Sequence, residues 1–203
     1  MQLFHYHLAT SHLRDVESRY LTKLGFNLVA RYGRIGEDHI AVEPGVPWEQ
    51  LEHEGFKLRL SELERGAVNV VVQPGHWRVP RVDHLGVALD EDELVDTLAR
   101  AETADLRIQQ HSDGRTFVST VAGYRLELHP PGEWADELAE SERELRLAEL
   151  HLLADDPAAK GEALGEVLDV PHANGAVAVG ETLVRFLPGG PPGRPQLHAE
   201  LFV

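Results

Sequence analysis

The strongest constraint on the fold is a pattern that begins three times along the chain. It starts with a short segment in which apolar and polar side chains alternate, at residues 3–13 (LFHYHLATSHL), 82–90 (VDHLGVALD) and 147–155 (LAELHLLAD). Such alternation is typical of a half-buried strand. A segment with apolar residues at helical spacing follows each time, at residues 14–24, 91–102 and 158–168. The sequence therefore predicts an internal repeat that opens with a strand and a helix.

Strand-like runs complete each copy of the repeat. The second copy has three of them, at residues 106–111, 116–121 and 124–129, and the third has three more, at residues 176–179, 182–187 and 196–202. The first copy has four, at residues 27–32, 39–42, 56–60 and 67–73, with an insertion at residues 45–54. We predict an α+β protein of three βαβββ modules, at residues 1–75, 80–130 and 145–203. The acidic connector at residues 130–144 is expected to be a linker rather than a helix.

A single βαβββ unit cannot close its own sheet. Two units placed side by side bury the shared edge. We therefore expect the first two modules to pair into one cupped mixed sheet with helices outside. A concave sheet lined by alternating side chains is a natural ligand site.

Composition narrows the range of partners. The 203 residues include 19 Lys and Arg against 34 Asp and Glu, a net charge of −15. Such an acidic chain repels phosphate and anionic lipid, so we expect neither nucleic acid nor membrane as a partner. There is no basic, apolar secretory leader, and a cytoplasmic location is expected. The chain has no cysteine but has 12 histidines, which leaves metal sites with nitrogen and oxygen ligands, or acid–base chemistry.

Three segments resemble the vicinal oxygen chelate superfamily, which includes glyoxalase I, extradiol dioxygenases and the fosfomycin- and bleomycin-resistance proteins. They are, in order, FHYHLATSHLRDVESRYLTKLGFNLVARYG, VDHLGVALDEDELVDTLARA and GYRLELHPP. The first looks like the family's opening strand, helix and Leu-Gly-Phe turn, and the second like the start of another module. The third is similar to the closing strand that carries a glutamate ligand. The resemblance covers about residues 1–130, and residues 145–203 match by pattern only.

The resemblance implies a metal centre between the first two modules. It assigns the ligands His5, His84 and Glu127, and it places apolar Val71 at the fourth position. Four protein ligands would resemble glyoxalase I, whereas two histidines and one carboxylate resemble the extradiol dioxygenases and the fosfomycin-resistance thiol transferases. We expect one divalent ion per chain, with Fe(II) or Mn(II) favoured and Zn or Ni possible.

Strand parity adds candidates for catalytic roles. Residues two apart share a face of a strand, so His7 accompanies His5 and His129 accompanies Glu127. Either histidine is a candidate general base or a supporting partner, and the alternative is a polar lining. Two arginines, Arg59 and Arg115, are candidates for holding an anionic substrate, although surface roles are as compatible with the pattern.

These expectations point to a metal-dependent enzyme acting on a small substrate whose neighbouring oxygens the metal chelates. Dioxygenation is slightly favoured over isomerase or lyase chemistry. Tyr124 counts against oxidation, because its parity differs from that of Glu127 and family dioxygenases use a tyrosine for proton transfer. The alternative is a small-molecule (antibiotic) binding or resistance protein, including the thiol-transferase type.

The third module is expected to be structural or dimerising. Glu149 stands at the position of His5 and His84, and Glu200 is assigned to the position of Glu127. An odd module leaves an unpaired sheet edge, which natural proteins cover. We therefore predict a homodimer in which two such edges pair.

Overall fold

The structure is a computed structural model that describes residues 1–111, 115–132 and 145–203. Most of the acidic connector, residues 133–144, lies outside the described residues, and so does its predicted conformation. The helices are α1 (Leu13–Lys23), α2 (Trp48–His53), α3 (Glu91–Thr103) and α4 (Pro157–Leu168). None of the helices in these ranges is long and apolar enough to cross a membrane.

Within the described residues, fourteen strands join one mixed sheet. From the first predicted module come β1 (Gln2–Thr10), β2 (Asn27–Ile35), β3 (Asp38–Val42), β4 (Lys57–Arg65) and β5 (Val68–Pro74). From the second come β6 (Arg81–Ala88), β7 (Arg107–Gln110), β8 (Thr116–Ser119) and β9 (Arg125–His129). From the third come β10 (Leu147–Ala154), β11 (His172–Ala173), β12 (Ala176–Val179), β13 (Thr182–Pro188) and β14 (Gln196–Phe202).

Eleven strands lie in the order β11-β12-β13-β10-β14-β6-β1-β5-β4-β2-β3, and β9, β8 and β7 branch from β6. The same pairing recurs three times. The opening strands β1, β6 and β10 each precede a helix and then pair in parallel with β5, β9 and β13. The α+β class is therefore confirmed, with a large mixed sheet.

Two antiparallel pairs, β1 with β6 and β10 with β14, share the same irregularities. In both pairs the register shifts just before one residue, His5 in β1 and Glu149 in β10. It shifts again just after His7 and just after His151. Glu149 therefore occupies the position of His5, and His151 occupies the position of His7.

The prediction that Glu200 corresponds to Glu127 is wrong. Glu127 lies on β9, which runs parallel to β6, whereas Glu200 lies on β14, which runs antiparallel to β10. β14 pairs with β10 in the same way that β6 pairs with β1. The residue of β6 that corresponds in register to Glu200 of β14 is therefore Leu85. An alternating pattern looks the same in a parallel and an antiparallel strand, so the sequence could not separate the two.

β14 also covers the edge of β10 that motivated the homodimer. It pairs with β10 from Gln196 to Phe202 and touches β6 through the single register pair Gln196–Arg81. That edge therefore needs no second chain, and the homodimer stays a prediction.

Alternation along β1 separates the histidines from the helices. The hydroxyl of Tyr6 lies 3.2 Å from that of Tyr20 on α1, and His5 and His7 point to the opposite face. The carboxylate of Glu200 accepts hydrogen bonds from both tyrosine hydroxyls on the helix side. This buried group fixes β14 and α1 against one another through β1.

The structure predicts an alkaline unfolding transition. Burial, together with the neighbouring charge of Glu200, raises the pKa of Tyr6 and of Tyr20, and burial raises that of Tyr124. A tyrosine of this kind contributes stability that is fully present below its unfolded pKa, about 10, and is lost as the pH rises from there toward the folded pKa. Tyrosinate absorbance of these three groups should therefore appear together with the loss of circular dichroism, above about pH 10. Ionisation of all three in a protein that keeps its secondary structure would contradict the assignment.

Candidate metal centre

The three residues that the resemblance assigns as ligands lie together in the structure. They come from the adjacent strands β1, β6 and β9, and Gly86 of β6 lies in register with both His5 and Glu127. His5 Nε2 lies 3.2 Å from His84 Nε2, and Glu127 Oε2 lies 2.8 Å from His84 Nε2 and 3.7 Å from His5 Nε2. All three side chains are buried. Neighbouring ligands of an octahedral ion bound at about 2.1 Å stand about 3 Å apart, so the atoms have the spacing of a metal site.

A hydrogen-bond acceptor fixes the orientation of each imidazole. His5 Nδ1 lies 2.6 Å from Asn69 Oδ1, and His84 Nδ1 lies 3.0 Å from Asp83 Oδ2. Both Nδ1 atoms then carry the proton and donate it outward, which leaves the Nε2 lone pairs facing one another. Metal-binding histidines in proteins are almost always held in this way.

Two lone pairs at this distance repel unless a cation or a proton lies between them. Burial, followed by the neighbouring His84, lowers the pKa of His5 to about 3, so His5 does not carry that second proton near neutral pH. A divalent cation satisfies both nitrogens and the nearby carboxylate, so the donor set fits a metal ion.

Asp83 stays ionised because arginines surround it. It accepts hydrogen bonds from His84 and Arg125, and Arg194 lies 2.7 Å away. Burial alone raises the pKa of Asp83, but these hydrogen bonds outweigh burial and hold the pKa well below its ordinary value. A permanent charge on Asp83 keeps the proton of His84 on Nδ1.

The two carboxylate oxygens of Glu127 have different neighbours. Oε2 points at His5 and His84, whereas Oε1 lies 3.1 Å from Arg115 and 3.4 Å from His129 Nε2. Burial raises the pKa of Glu127, but the adjacent His129, His84 and His5 hold that pKa well below its ordinary value. Glu127 is therefore a carboxylate with one oxygen turned to the histidines.

His7 joins this group. Its ring centroid lies 4.5 Å from that of His84 and 6.2 Å from that of His5, and nitrogens of the three histidines lie within 4.8 Å of one another. Its Nε2 is buried and has no hydrogen-bond partner among the described residues. The sequence analysis named His7 as a candidate general base or supporting partner, and the structure places it in the cluster.

Gly86 makes room for His5, and sequence reasoning missed it. A Cβ at this position would lie 2.7 Å from Cβ of His5 and 2.8 Å from its Cδ2. Glycine inside a strand commonly marks such a close approach. The signal was present in the sequence as the glycine of DHLGV.

The remaining candidate residues differ in whether they reach the histidine cluster. Arg115 reaches Glu127, but Arg59 is exposed on β4 and makes no contact with the cluster within the described ranges. Tyr124 is buried on the opposite face, where its hydroxyl lies 3.3 Å from the carbonyl oxygen of Lys160. This agrees with the parity argument against a catalytic role for Tyr124.

Comparison with solved structures finds the same fold over nearly the whole chain. The chain matches a halotolerant catechol dioxygenase over 93% of its length at 13% identity, with a TM-score of 0.60 and 66% of that protein covered. It matches homoprotocatechuate 2,3-dioxygenase from Arthrobacter globiformis over 96% at 14% identity, with a TM-score of 0.57 and 61% covered. A Mn(II)-bound glyoxalase from Novosphingobium aromaticivorans matches over 97% at 13% identity, with a TM-score of 0.53 and 63% covered.

The chain has the vicinal oxygen chelate fold. It spans between about a third and two thirds of the length of these and other matched proteins, the lowest share being 36% of a fusion of a xylose isomerase-like barrel with 4-hydroxyphenylpyruvate dioxygenase. Neither a family model nor a curated protein matches the sequence.

Gly86→Ala tests the packing of the centre in this vicinal oxygen chelate fold. The added methyl group collides with His5, and overpacking of this kind costs about 1–3 kcal/mol of unfolding free energy. Displacement of the ring should also weaken Mn(II) binding by about 10- to 100-fold, the range seen when ligand support is lost. Denaturant unfolding and titration calorimetry measure both effects.

Gly132→Ala is the matched control, because the nearest atom to its added Cβ lies 3.9 Å away. It should behave like the unchanged protein in both measurements. A Gly86→Ala protein of unchanged stability and unchanged Mn(II) affinity would show that this contact does not position His5.

Proposed function

We propose that this protein is a metal-dependent enzyme that acts on a small organic substrate with neighbouring oxygen atoms. The observation that carries the proposal is the arrangement of His5, His84 and Glu127, whose inward-facing donor atoms lie within 3.7 Å of one another. Fe(II) and Mn(II) are favoured, and Zn or Ni(II) also suit imidazole and carboxylate ligands. The glyoxalase with this fold is described as Mn(II)-bound, which supports the choice.

A divalent ion held here supplies Lewis-acid stabilisation to negative charge on a substrate oxygen. The surrounding side chains supply the rest. His7 and His129 lie beside the ligand candidates and offer ring nitrogens that exchange a proton with substrate. Arg115 is exposed and lies 3.1 Å from Glu127, and its guanidinium is suited to hold an anionic substrate group.

The walls of the site differ in polarity. On one side, the ring of Phe117 packs edge-on against His84, and the guanidinium of Arg125 lies 4.7 Å above it. On the other side, Glu62 and Glu64 accept hydrogen bonds from Asn69. A substrate with an anionic or aromatic end would bind with that end toward Phe117 and the arginines.

The reaction class follows from the number of open coordination positions. With three protein ligands, about three of six octahedral positions remain for substrate oxygens and a further reactant. This count slightly favours dioxygenation over isomerase or lyase chemistry. Of the three solved structures compared above, two are dioxygenases by description and one is a glyoxalase.

We also propose the modular division of the sequence analysis, with modules at residues 1–75, 80–130 and 145–203. The recurring parallel pairing of the opening strand supports it. The first two modules contribute the ligand candidates of the centre, whereas the third contributes Arg194, which lies 2.7 Å from Asp83. The third is proposed as structural or dimerising, because Ala199 stands where β6 has His84.

Metal retention is the first test. Protein reconstituted without oxygen with Fe(II) or Mn(II) should hold about one ion per chain, and His84→Ala should lose it while the circular dichroism spectrum is unchanged. Elemental analysis after gel filtration gives the ratio. His198→Ala, at an exposed position on β14, is the control and should retain the ion.

The proposal fails if no transition metal binds after reconstitution, or if His84→Ala retains it. If metal binds, oxygen uptake with catechol-like and 2-oxo-acid substrates decides the reaction class. Substrate loss without oxygen uptake indicates an isomerase or lyase. Turnover that requires an added thiol indicates a thiol transferase, and tight binding without turnover indicates a sequestering protein.

A further inference from the structure

We propose that His7 is a fourth protein ligand of the metal rather than a proton-exchanging residue, so that the centre has three imidazoles and one carboxylate and His129 alone is left for proton exchange. This inference rests on the proposed function, because it concerns the same metal. It departs from the ligand set that the resemblance implies, which contains two histidines.

The spacing of the three rings fits one shared ion. With a metal–nitrogen distance of about 2.1 Å, two bound imidazoles have ring centroids about 4.5 Å apart at right angles and about 6.5 Å apart on opposite sides. The centroids of His7 and His84 are 4.5 Å apart, those of His5 and His84 are 5.2 Å apart, and those of His5 and His7 are 6.2 Å apart. His84 therefore lies next to both His5 and His7. His5 and His7 are farther apart and would bind a shared ion from more nearly opposite sides.

His7 also needs a partner. It is 7% exposed, and its Nε2 has no hydrogen-bond partner among the described residues. A buried polar atom left unpaired carries a free-energy cost, so such atoms normally have a partner. A metal ion at the point where His5 and His84 direct their Nε2 atoms removes this cost.

The position of His7 allows it to supply the fourth ligand that apolar Val71 cannot supply. His7 of β1 lies directly beside Val71 of β5 in the parallel register. Its imidazole therefore enters the site next to the position that the resemblance gives to a fourth ligand. The donor comes from the neighbouring strand instead of from β5.

The third repeat shows that a histidine at this register position does not by itself make a metal cluster. His151 occupies the place of His7, but its Nε2 lies 2.7 Å from Glu149 Oε2, and Ala199 stands where β6 has His84. His151 is thus satisfied by a carboxylate of its own strand. It provides a matched control for His7 inside the same protein.

Four protein ligands leave two of six octahedral positions open. Two neighbouring oxygens of one substrate would fill both positions, and none would remain for dioxygen. The dioxygenation that three protein ligands would favour is therefore replaced, with four, by an isomerase or lyase reaction on a substrate with two adjacent oxygens. The substrate class is a compound such as a hydroxy-ketone or a 2-oxo acid, whose enolate the metal can stabilise.

The test counts histidine nitrogens coupled to Mn(II) by pulsed electron paramagnetic resonance of the loaded protein. We expect three in the unchanged protein, two in His7→Ala and three in His151→Ala. Calorimetry should show that His7→Ala loses more Mn(II) affinity than the roughly 10- to 100-fold that an outer partner costs. His151→Ala should bind Mn(II) with unchanged affinity.

Two coupled histidines in the unchanged protein would overturn the inference, and this measurement does not depend on whether a variant folds. Wild-type Mn(II) affinity in a folded His7→Ala protein would overturn it as well. Absence of any Mn(II) binding by the unchanged protein is a different result, since it removes the proposed function itself. Oxygen uptake coupled to substrate turnover would leave the metal enzyme intact but contradict the selected reaction class.

Discussion

The site depends on one electrostatic constraint. The Nε2 atoms of His5 and His84 face each other 3.2 Å apart inside the protein, and the proton of each ring is on the outward-facing Nδ1. Asn69 and Asp83 impose this arrangement by accepting the Nδ1 protons of His5 and His84. Arg125 and Arg194 in turn keep Asp83 charged. Buried polar groups thus hold two nitrogen lone pairs close together. This arrangement is favourable when a cation binds both lone pairs.

The period of the strand makes this arrangement possible. Because side chains alternate along β1, His5 and His7 reach the site while Tyr6 reaches α1. The register of β6 then sets His84 beside His7 and Gly86 beside His5. A larger residue at position 86 would occupy the space of the His5 ring, so the absence of a side chain there is as important as the ligands.

The sequence predicts much of this, and the failures have physical causes. The repeat and the two-residue period predicted the strands that carry His5, His84 and Glu127 and the helices that follow the opening strands. The resemblance to the family predicted that these three residues lie together. Glu200 was misassigned because strand direction is invisible in an alternating pattern. The partners Asn69 and Asp83 were not identified, since a hydrogen bond between residues 5 and 69 depends on sheet register, which composition does not encode.

The buried carboxylate of Glu200 has a consequence for the whole molecule. It binds the hydroxyls of Tyr6 and Tyr20 on the reverse side of the strand that presents His5 and His7. Tyr6 is the single residue between those two histidines, so a strand near residue 200 restrains the backbone of the metal centre from behind. A substitution at Glu200 in the third repeat would therefore disturb the candidate metal centre between the other two repeats, although none of the donor atoms described there comes from the third repeat.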